Sequence, residues 1–82
     1  MKSLNLIDIY TIGWDMYLIG DTVWSIIHMF DSPKKTKILN VSTHNNISYL
    51  VQYRNREFEV RNENVYPTQI DAEIYWSILI NL

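Results

Sequence analysis

Cysteine is absent from this chain of 82 residues, and glycine and proline occur only twice each. Without cysteine, neither a disulfide framework nor a thiolate metal site can form, so packing or association must supply the stability. Two isolated glycines, Gly13 and Gly20, are too few for a glycine-rich loop that binds phosphate. The two histidines, His28 and His44, lack the spacing of zinc ligands. We therefore expect no metal site and no cofactor.

A large charge of either sign is also absent. Seven lysine and arginine residues against nine aspartate and glutamate residues give a formal net charge of -2 at pH 7. This value provides no overall attraction for nucleic acid, and it is too small for an acidic surface that mimics DNA. The net charge therefore indicates neither a strongly basic nucleic-acid-binding protein nor an acidic DNA mimic.

No long uninterrupted apolar run occurs in the sequence. Asn5, Asp8 and Asp15 interrupt its first part, and residues 70–82 contain polar residues and are too short to cross a bilayer of ~30 Å. We therefore predict neither a signal peptide nor a spanning helix, and we expect a cytoplasmic protein without membrane partners.

Patterns typical of catalysis are missing as well. The serines stand in strand or helix contexts without the glycine pattern of a nucleophile elbow. His28 lies in an apolar strand pattern and His44 in a turn, so we expect structural or solvated side chains rather than acid/base groups. Glu57 and Glu59 share one predicted solvent-facing side, which is typical of a charged surface row. The protein is predicted not to be an enzyme.

Apolar residues are nevertheless abundant, since 48% of the chain is hydrophobic and 13% is aromatic. This content supports one packed domain over residues 1–82. Residues 1–19 form an N-terminal extension that fits either a short amphipathic helix or a strand, whereas residues 20–66 contain short apolar runs broken by turn residues. We predict a mainly β (β+α) domain, a curled antiparallel sheet or barrel of about five strands with a C-terminal helix over residues 68–81.

The predicted strands are residues 22–30, 34–43, 47–54, 57–61 and 65–66. The third strand alternates most clearly, and four of its side chains should face the core: Ile47, Tyr49, Val51 and Tyr53. We expect a hairpin connection at residues 44–46 and a tight turn near Asn55 and Arg56, because asparagine tolerates a positive φ angle.

The C-terminal helix carries more apolar residues than one packed face requires. Thr68 and Asp71 have the spacing of a capping box, so the helix should begin at about Gln69. Its apolar side chains fall in three groups: Ile70, Ile74 and Ile78; Tyr75, Leu79 and Leu82; Trp76 and Ile80. A small barrel can cover only part of this circumference. Either the helix docks on a partner or a second copy, or the N-terminal extension folds over it.

Residues 20–76 resemble small SH3-like barrel proteins encoded by bacteriophages and mobile elements. Five segments carry the resemblance: GDTVW, ILNV, YLVQY, FEV and NVYPTQIDAE. The resemblance implies an SH3-like fold without a common active site. It also implies a phage-type viral protein that binds and occludes a host protein, since some phage proteins of this size inhibit host defence, including anti-CRISPR proteins.

Aromatic and apolar side chains are the candidate contacts for a protein partner, because such residues anchor interfaces. The candidates are Trp76, Tyr75, Ile80, Trp24, Trp14 and Tyr17. Packing in the core is the competing interpretation for each aromatic residue. A virion or assembly accessory that acts by oligomerisation is an alternative function.

Basic residues suggest a further alternative, a small module that binds nucleic acid. The candidate contacts are Lys34, Lys35, Lys37, Arg54 and Arg56. Small barrels use strand faces and loops for this purpose. Lysine and arginine on strands also protect sheet edges from pairing, which is the competing interpretation.

Overall fold

The computed structural model describes residues 16–82, which form one antiparallel sheet and a C-terminal helix. The strands are β1 (Thr22–Ser25), β2 (Lys34–Ser42), β3 (Ser48–Tyr53), β4 (Arg56–Arg61) and β5 (Val65–Tyr66), in the spatial order β4-β3-β2-β1-β5. A 3-10 turn (Asn62–Asn64) links β4 to β5, and the helix α1 (Gln69–Ile80) follows. The predicted mainly β class with five antiparallel strands and a C-terminal helix is confirmed. Predictions for residues 1–15, including Trp14 as a partner contact, lie outside the described residues.

The core lies on one face of the sheet, which we call the inner face. Six buried side chains form it: Val23, Ile38, Tyr49, Val51, Val60 and Val65. Alternation along each strand brings these residues to the same face. The predicted inward orientation in the third strand is confirmed for Tyr49 and Val51, and Ile47 packs against their cluster while half-buried.

The nine-residue β2 is shared by both halves of the sheet. Its first four residues pair with β1, its later residues pair with β3, and Lys37 lies between Thr22 and Gln52. A register shift between Ile38 and Asn40 bends the strand. Before this bulge, Thr36 and Ile38 are buried on the inner face, so the lysines on either side of Thr36 lie on the outer face.

The first predicted strand, residues 22–30, was wrong in its second half, because β1 ends at Ser25. Ser25 pairs with Lys34, the first residue of β2, and with Val65, the first residue of β5. Neither adjacent strand extends further, so β1 has no partner strand beyond Ser25 among the described residues. The next N–H, that of Ile26, donates to the carbonyl oxygen of Asn64 at 2.9 Å. The chain then turns, and the N–H of Asp31 donates to the carbonyl oxygen of His28.

The tight turn after β3 lies one residue earlier than predicted. Arg54 and Asn55 both have positive φ angles, 52° and 64°, and they form a two-residue connection between Tyr53 and Arg56. This geometry suits the right-handed twist of a hairpin and normally favours asparagine or glycine. The expected positive φ angle in the preceding hairpin is confirmed at Asn45, which has a φ angle of 69°.

A buried phenol connects the sheet to the segments around it. The hydroxyl of Tyr49 accepts a hydrogen bond from the N–H of Tyr17 at 3.2 Å and donates one to Oδ1 of Asn62 at 3.1 Å. Burial raises the pKa of Tyr49 above its ordinary value. This hydroxyl therefore fixes the segment before β1 and the 3-10 turn before β5 against the same strand.

The helix begins as predicted. The N–H of Asp71 donates to the side-chain oxygen of Thr68, which is the N-cap. Ala72 is fully buried, and the helix contacts β1 and β5. A small side chain at the contact lets the helix lie close to the sheet.

The two edges of the sheet are β4 and β5, among the residues described. β4 carries charged side chains at four of its six positions: Arg56, Glu57, Glu59 and Arg61. β5 contains only two residues. Charges and short length both discourage another chain from pairing with an edge.

A polar pair lies within the apolar core between β1 and β2. The hydroxyl oxygens of Ser25 and Thr36 are 2.8 Å apart, and both residues are buried. Thr36 donates to the carbonyl oxygen of Val23 at 3.3 Å, so Ser25 donates to Thr36. The pair satisfies two hydroxyl groups that would otherwise be costly to bury.

Replacement of Thr36 by valine is expected to lower the free energy of unfolding by about 1–2 kcal/mol, because the buried Ser25 hydroxyl loses its acceptor. The double variant Ser25→Ala, Thr36→Val removes both polar groups and should lose less than the sum of the single variants. Urea unfolding measures all three values. The matched control is Thr43→Val at an exposed position, and an equal loss there would contradict the role of the pair.

Candidate functional surfaces

One side of α1 packs against the rest of the domain. The ring of Tyr75 lies 5.5 Å from that of Tyr66, and Nε1 of Trp76 donates to the carbonyl oxygen of Met29 at 2.8 Å. Tyr75, Trp76 and Leu79 are half-buried around Ala72. Two of the residues predicted to contact a partner, Tyr75 and Trp76, therefore hold the helix against the sheet and the turn.

The opposite side of α1 presents three isoleucines, which we call the isoleucine stripe. Ile70, Ile74 and Ile78 retain 71%, 56% and 53% of their accessible surface. With 3.6 residues per turn, the centre of the stripe lies about 150° around the helix from the packed side. The stripe therefore faces away from the sheet. Ile80, predicted as a partner contact, is 42% exposed on a third side.

The charges around the stripe are all negative. Asp71 and Glu73 lie beside it, and residues 67–82 contain no lysine or arginine. Glu73 accepts a hydrogen bond from Nε2 of Gln69 at 2.9 Å, which holds its carboxylate on the helix surface. The stripe is thus an apolar row with an acidic border.

The remaining predicted anchors lie on the sheet. Trp24 is half-buried on the outer face, opposite Lys35 of β2 and Tyr66 of β5. Tyr17 packs edge-on against Tyr49, with their ring centres 5.6 Å apart. Tyr17 therefore belongs to the packing around the core, whereas Trp24 is half-buried on the outer face of the sheet.

The basic residues divide between the two faces of the sheet. Lys35, Lys37 and Arg54 line one open groove with a volume of about 370 Å³ on the outer face. Lys34 and Arg56 do not line this groove. Nζ of Lys34 lies 5.9 Å from the ring centre of Tyr53, a ring that also lies 5.2 Å from the guanidinium of Arg54, and the guanidinium of Arg56 lies 5.6 Å from the ring centre of Phe58. The structure thus brings together three of the five predicted nucleic-acid contacts and separates the other two.

Some surface residues were missed in the sequence. Thr22, Gln52 and Asn55 complete the lining of the basic groove. Phe30, which is 84% exposed, lies in the turn beside the Met29 carbonyl that receives Trp76. The register of β2 against β3 would have identified Gln52, but that register requires the position of the bulge. The turn residues Asp31 and Ser32, which follow Phe30, could have indicated in the sequence that Phe30 is exposed.

Groups that could bind a metal ion are not assembled in the described part of the chain. Within residues 16–82 there is no cluster of three or more histidine, aspartate or glutamate side chains suited to a metal ion. His28 is exposed, and its ring lies edge-on to Phe58 at 6.3 Å. Among these residues, no helix has the length and apolarity needed to span a membrane.

Comparison with known proteins identifies no family for this chain. No protein-family model, curated protein or solved structure matches it. The function must therefore be inferred from the isoleucine stripe, the groove and the residues around them.

Tyr66 is the group with the largest change in acidity where α1 meets the sheet. Burial, followed by the nearby Tyr75 and Glu63 side chains, raises the pKa of Tyr66 from 10.0 to about 12. Its hydroxyl donates to the carbonyl oxygen of Glu63 at 2.6 Å. The folded state therefore retains a proton that the unfolded chain loses near pH 10.

Between pH 10 and about 12, the folded state binds more protons at Tyr66 than the unfolded state, so the free energy of unfolding should fall as pH rises. Tyr66→Phe should make this decline shallower. Urea unfolding at several pH values within the interval measures the slope. Tyr53→Phe removes another phenol from the sheet and is the matched control; an equally shallow decline in that variant would contradict the assignment to Tyr66.

Proposed function

We propose that the protein is a noncatalytic binding module that docks on another protein through the isoleucine stripe and occludes a site on it. The observation that carries this proposal is the exposure of Ile70, Ile74 and Ile78 on the side of α1 that faces away from the sheet. Spacing of four residues is the pattern by which a helix fills an apolar groove. The binding requires no cofactor.

The apolar area of the isoleucine stripe is too small to hold a partner without further contacts. Full burial of an isoleucine contributes about 1.5–3 kcal/mol, so burial of the exposed parts of three isoleucines contributes about 3–5 kcal/mol before the cost of association. The cost of association is of the same size or larger, so burial of the stripe alone gives no stable complex. The partner must therefore supply further complementarity around the stripe.

The acidic border determines which partner fits. In a pair of helices from two copies of this chain, Asp71 and Glu73 would find no lysine or arginine on the other helix. An apolar groove bordered by basic side chains on a different protein would pair with both carboxylates. The proposed partner therefore has an apolar groove with a basic rim.

The resemblance to phage SH3-like proteins supports a specific use of this surface. Under this proposal the partner is a host protein, such as a component of a defence system, and the chain inhibits it in the manner of anti-CRISPR proteins. A bound helix would block the partner's own ligand or substrate sterically. Cytoplasmic action in the host cell follows from the same proposal.

Ile74→Glu is expected to leave the fold intact, because the side chain is already more than half exposed and glutamate suits a helix. It should weaken partner binding at least tenfold, which corresponds to about 1.4 kcal/mol. A photo-crosslinking residue at position 78 should capture the partner, and the affinity of the purified pair is then measured. Asp71→Lys should weaken the same complex by reversing a border charge.

The matched control is Ile19→Glu, the same substitution at a position that is 65% exposed and outside the helix. This variant should retain the crosslink and the affinity. Strong destabilisation by Ile74→Glu would show that the stripe is covered within the chain and would overturn the proposal. A dimer in light scattering that Ile74→Glu dissociates would replace the heterologous partner by a second copy.

A further inference from the structure

A second surface, independent of the isoleucine stripe, lies on the outer face of the sheet. The groove there is lined by six residues of the outer face and the hairpin turn, Thr22, Lys35, Lys37, Gln52, Arg54 and Asn55, together with Thr36 and Tyr53, which belong to the inner face by alternation. Three of them are cations, although the whole chain has a net charge of -2. Positive charge is therefore concentrated at this groove against the sign of the whole molecule.

The three cations are not neutralised by neighbouring carboxylates. The single ion pair among residues 16–82 joins Arg61 to Glu63 at 3.9 Å, away from the groove lining. The acidic positions beside the groove in the register are Asp21, which precedes Thr22, and Glu57, opposite Gln52 on β4. Neither forms an ion pair with a described lysine or arginine. Lys35, Lys37 and Arg54 thus remain available to an anionic ligand.

The backbone at Arg54 provides a separate indication. Arg54 has a φ angle of 52° at the first of two turn positions that favour asparagine or glycine. A long side chain in this left-handed conformation is uncommon and is held at a cost in stability. Arginine at this position puts a guanidinium at the end of the groove. Asparagine would fit the backbone with less strain but would carry no charge.

The arrangement of the cations suits a chain of phosphates. Lys35 and Lys37 are two residues apart on one strand, so their attachment points lie about 7 Å apart on the same face. Arg54 continues the row from the adjacent hairpin. A row of separated charges along a groove follows a repeating backbone of phosphodiesters better than it surrounds one small anion.

An aromatic ring lies next to this row. Trp24 is directly opposite Lys35 in the β1–β2 register, on the outer face. Side chains directly opposite in an antiparallel pair lie about 5 Å apart at Cβ. Trp24 is half-buried there and lies beside the groove rather than in its lining. An aromatic ring beside cations is the combination by which single-stranded nucleic acid is bound, since every base can stack on a ring.

We propose that this groove binds single-stranded nucleic acid, with phosphodiesters against Lys35, Lys37 and Arg54 and a base stacked on Trp24. Gln52 and Thr22 supply side-chain hydrogen-bonding groups between the cations. A duplex keeps its bases stacked inside, so it would use the cations but not the indole. Binding of an acidic peptide is the competing outcome, because it would need the charges alone.

The test is fluorescence anisotropy of the full chain with a fluorescein-labelled oligothymidine of about 12 nucleotides, over about 20–300 mM salt. Three phosphate contacts on a single strand predict a slope of log affinity against log salt concentration of about -2. Lys35→Gln and Lys37→Gln should each reduce the slope by about 0.7. Trp24→Leu should weaken binding about tenfold with little change in the slope.

Lys34→Gln is the matched control, since Lys34 neighbours Lys35 in the sequence but lies on the inner side by strand alternation and does not line the groove, although the Tyr53 ring near it does. It removes the same charge and should retain the slope and most of the affinity. Arg54→Asn should weaken binding and raise the thermal midpoint, because asparagine accepts the positive φ angle. Circular dichroism checks the fold of every variant.

Equal losses in Lys34→Gln and Lys35→Gln would overturn the proposal, because overall charge alone would then explain the binding. Duplex binding as tight as single-strand binding, or equal binding of a polyglutamate peptide, would also overturn it. No binding at about 20 mM salt would reject the site. All these measurements leave the isoleucine stripe unchanged, so failure here does not affect the proposed protein docking.

Discussion

The hydroxyl of Tyr49 is the interaction on which the arrangement of the domain depends. A phenol that is fully buried must have its hydrogen bonds satisfied, and Tyr49 finds them in Tyr17 and Asn62. Asn62 begins the 3-10 turn whose last residue, Asn64, accepts from Ile26. The same turn delivers β5 to the side of β1. Because α1 follows β5 directly, one buried hydroxyl in β3 also determines where the helix lies.

The two candidate surfaces arise from the periods of the elements that carry them. The two-residue period of a strand puts Lys34 and Lys35 on opposite faces of β2, so adjacent lysines have different surroundings. The 3.6-residue period of a helix puts Tyr75 and Trp76 against the sheet while Ile74, their neighbour, faces away. Residues that are adjacent in the sequence therefore lie in different environments: one packs within the domain, and its neighbour lies on a candidate surface.

Elements with strong local patterns could be predicted from the sequence. The alternation through Tyr49 and Val51 and the Thr68 cap depend on neighbouring residues only, and both predictions are confirmed. The end of β1 at Ser25 depends on where β2 and β5 stop, which the sequence of β1 does not contain.

The orientation of α1 was difficult for a related reason. Apolar residues surround the helix, so periodicity alone does not select the packed side, and aromatic size favoured Trp76 as the partner contact. The small Ala72 marks the packed side instead. Similarly, the basic residues were recognised as a cluster, but their division between the two faces required the register of β2 and the position of the hairpin turn.

The charged β4 and the two-residue β5 have a consequence for how this chain assembles. Fibrillar growth proceeds when one strand after another joins an open edge, and both edges of the sheet formed by residues 16–82 discourage that addition. Contacts with other molecules are then directed to side chains rather than to strand addition. The exposed isoleucines therefore offer an apolar surface on a domain whose sheet edges limit amyloid-like aggregation.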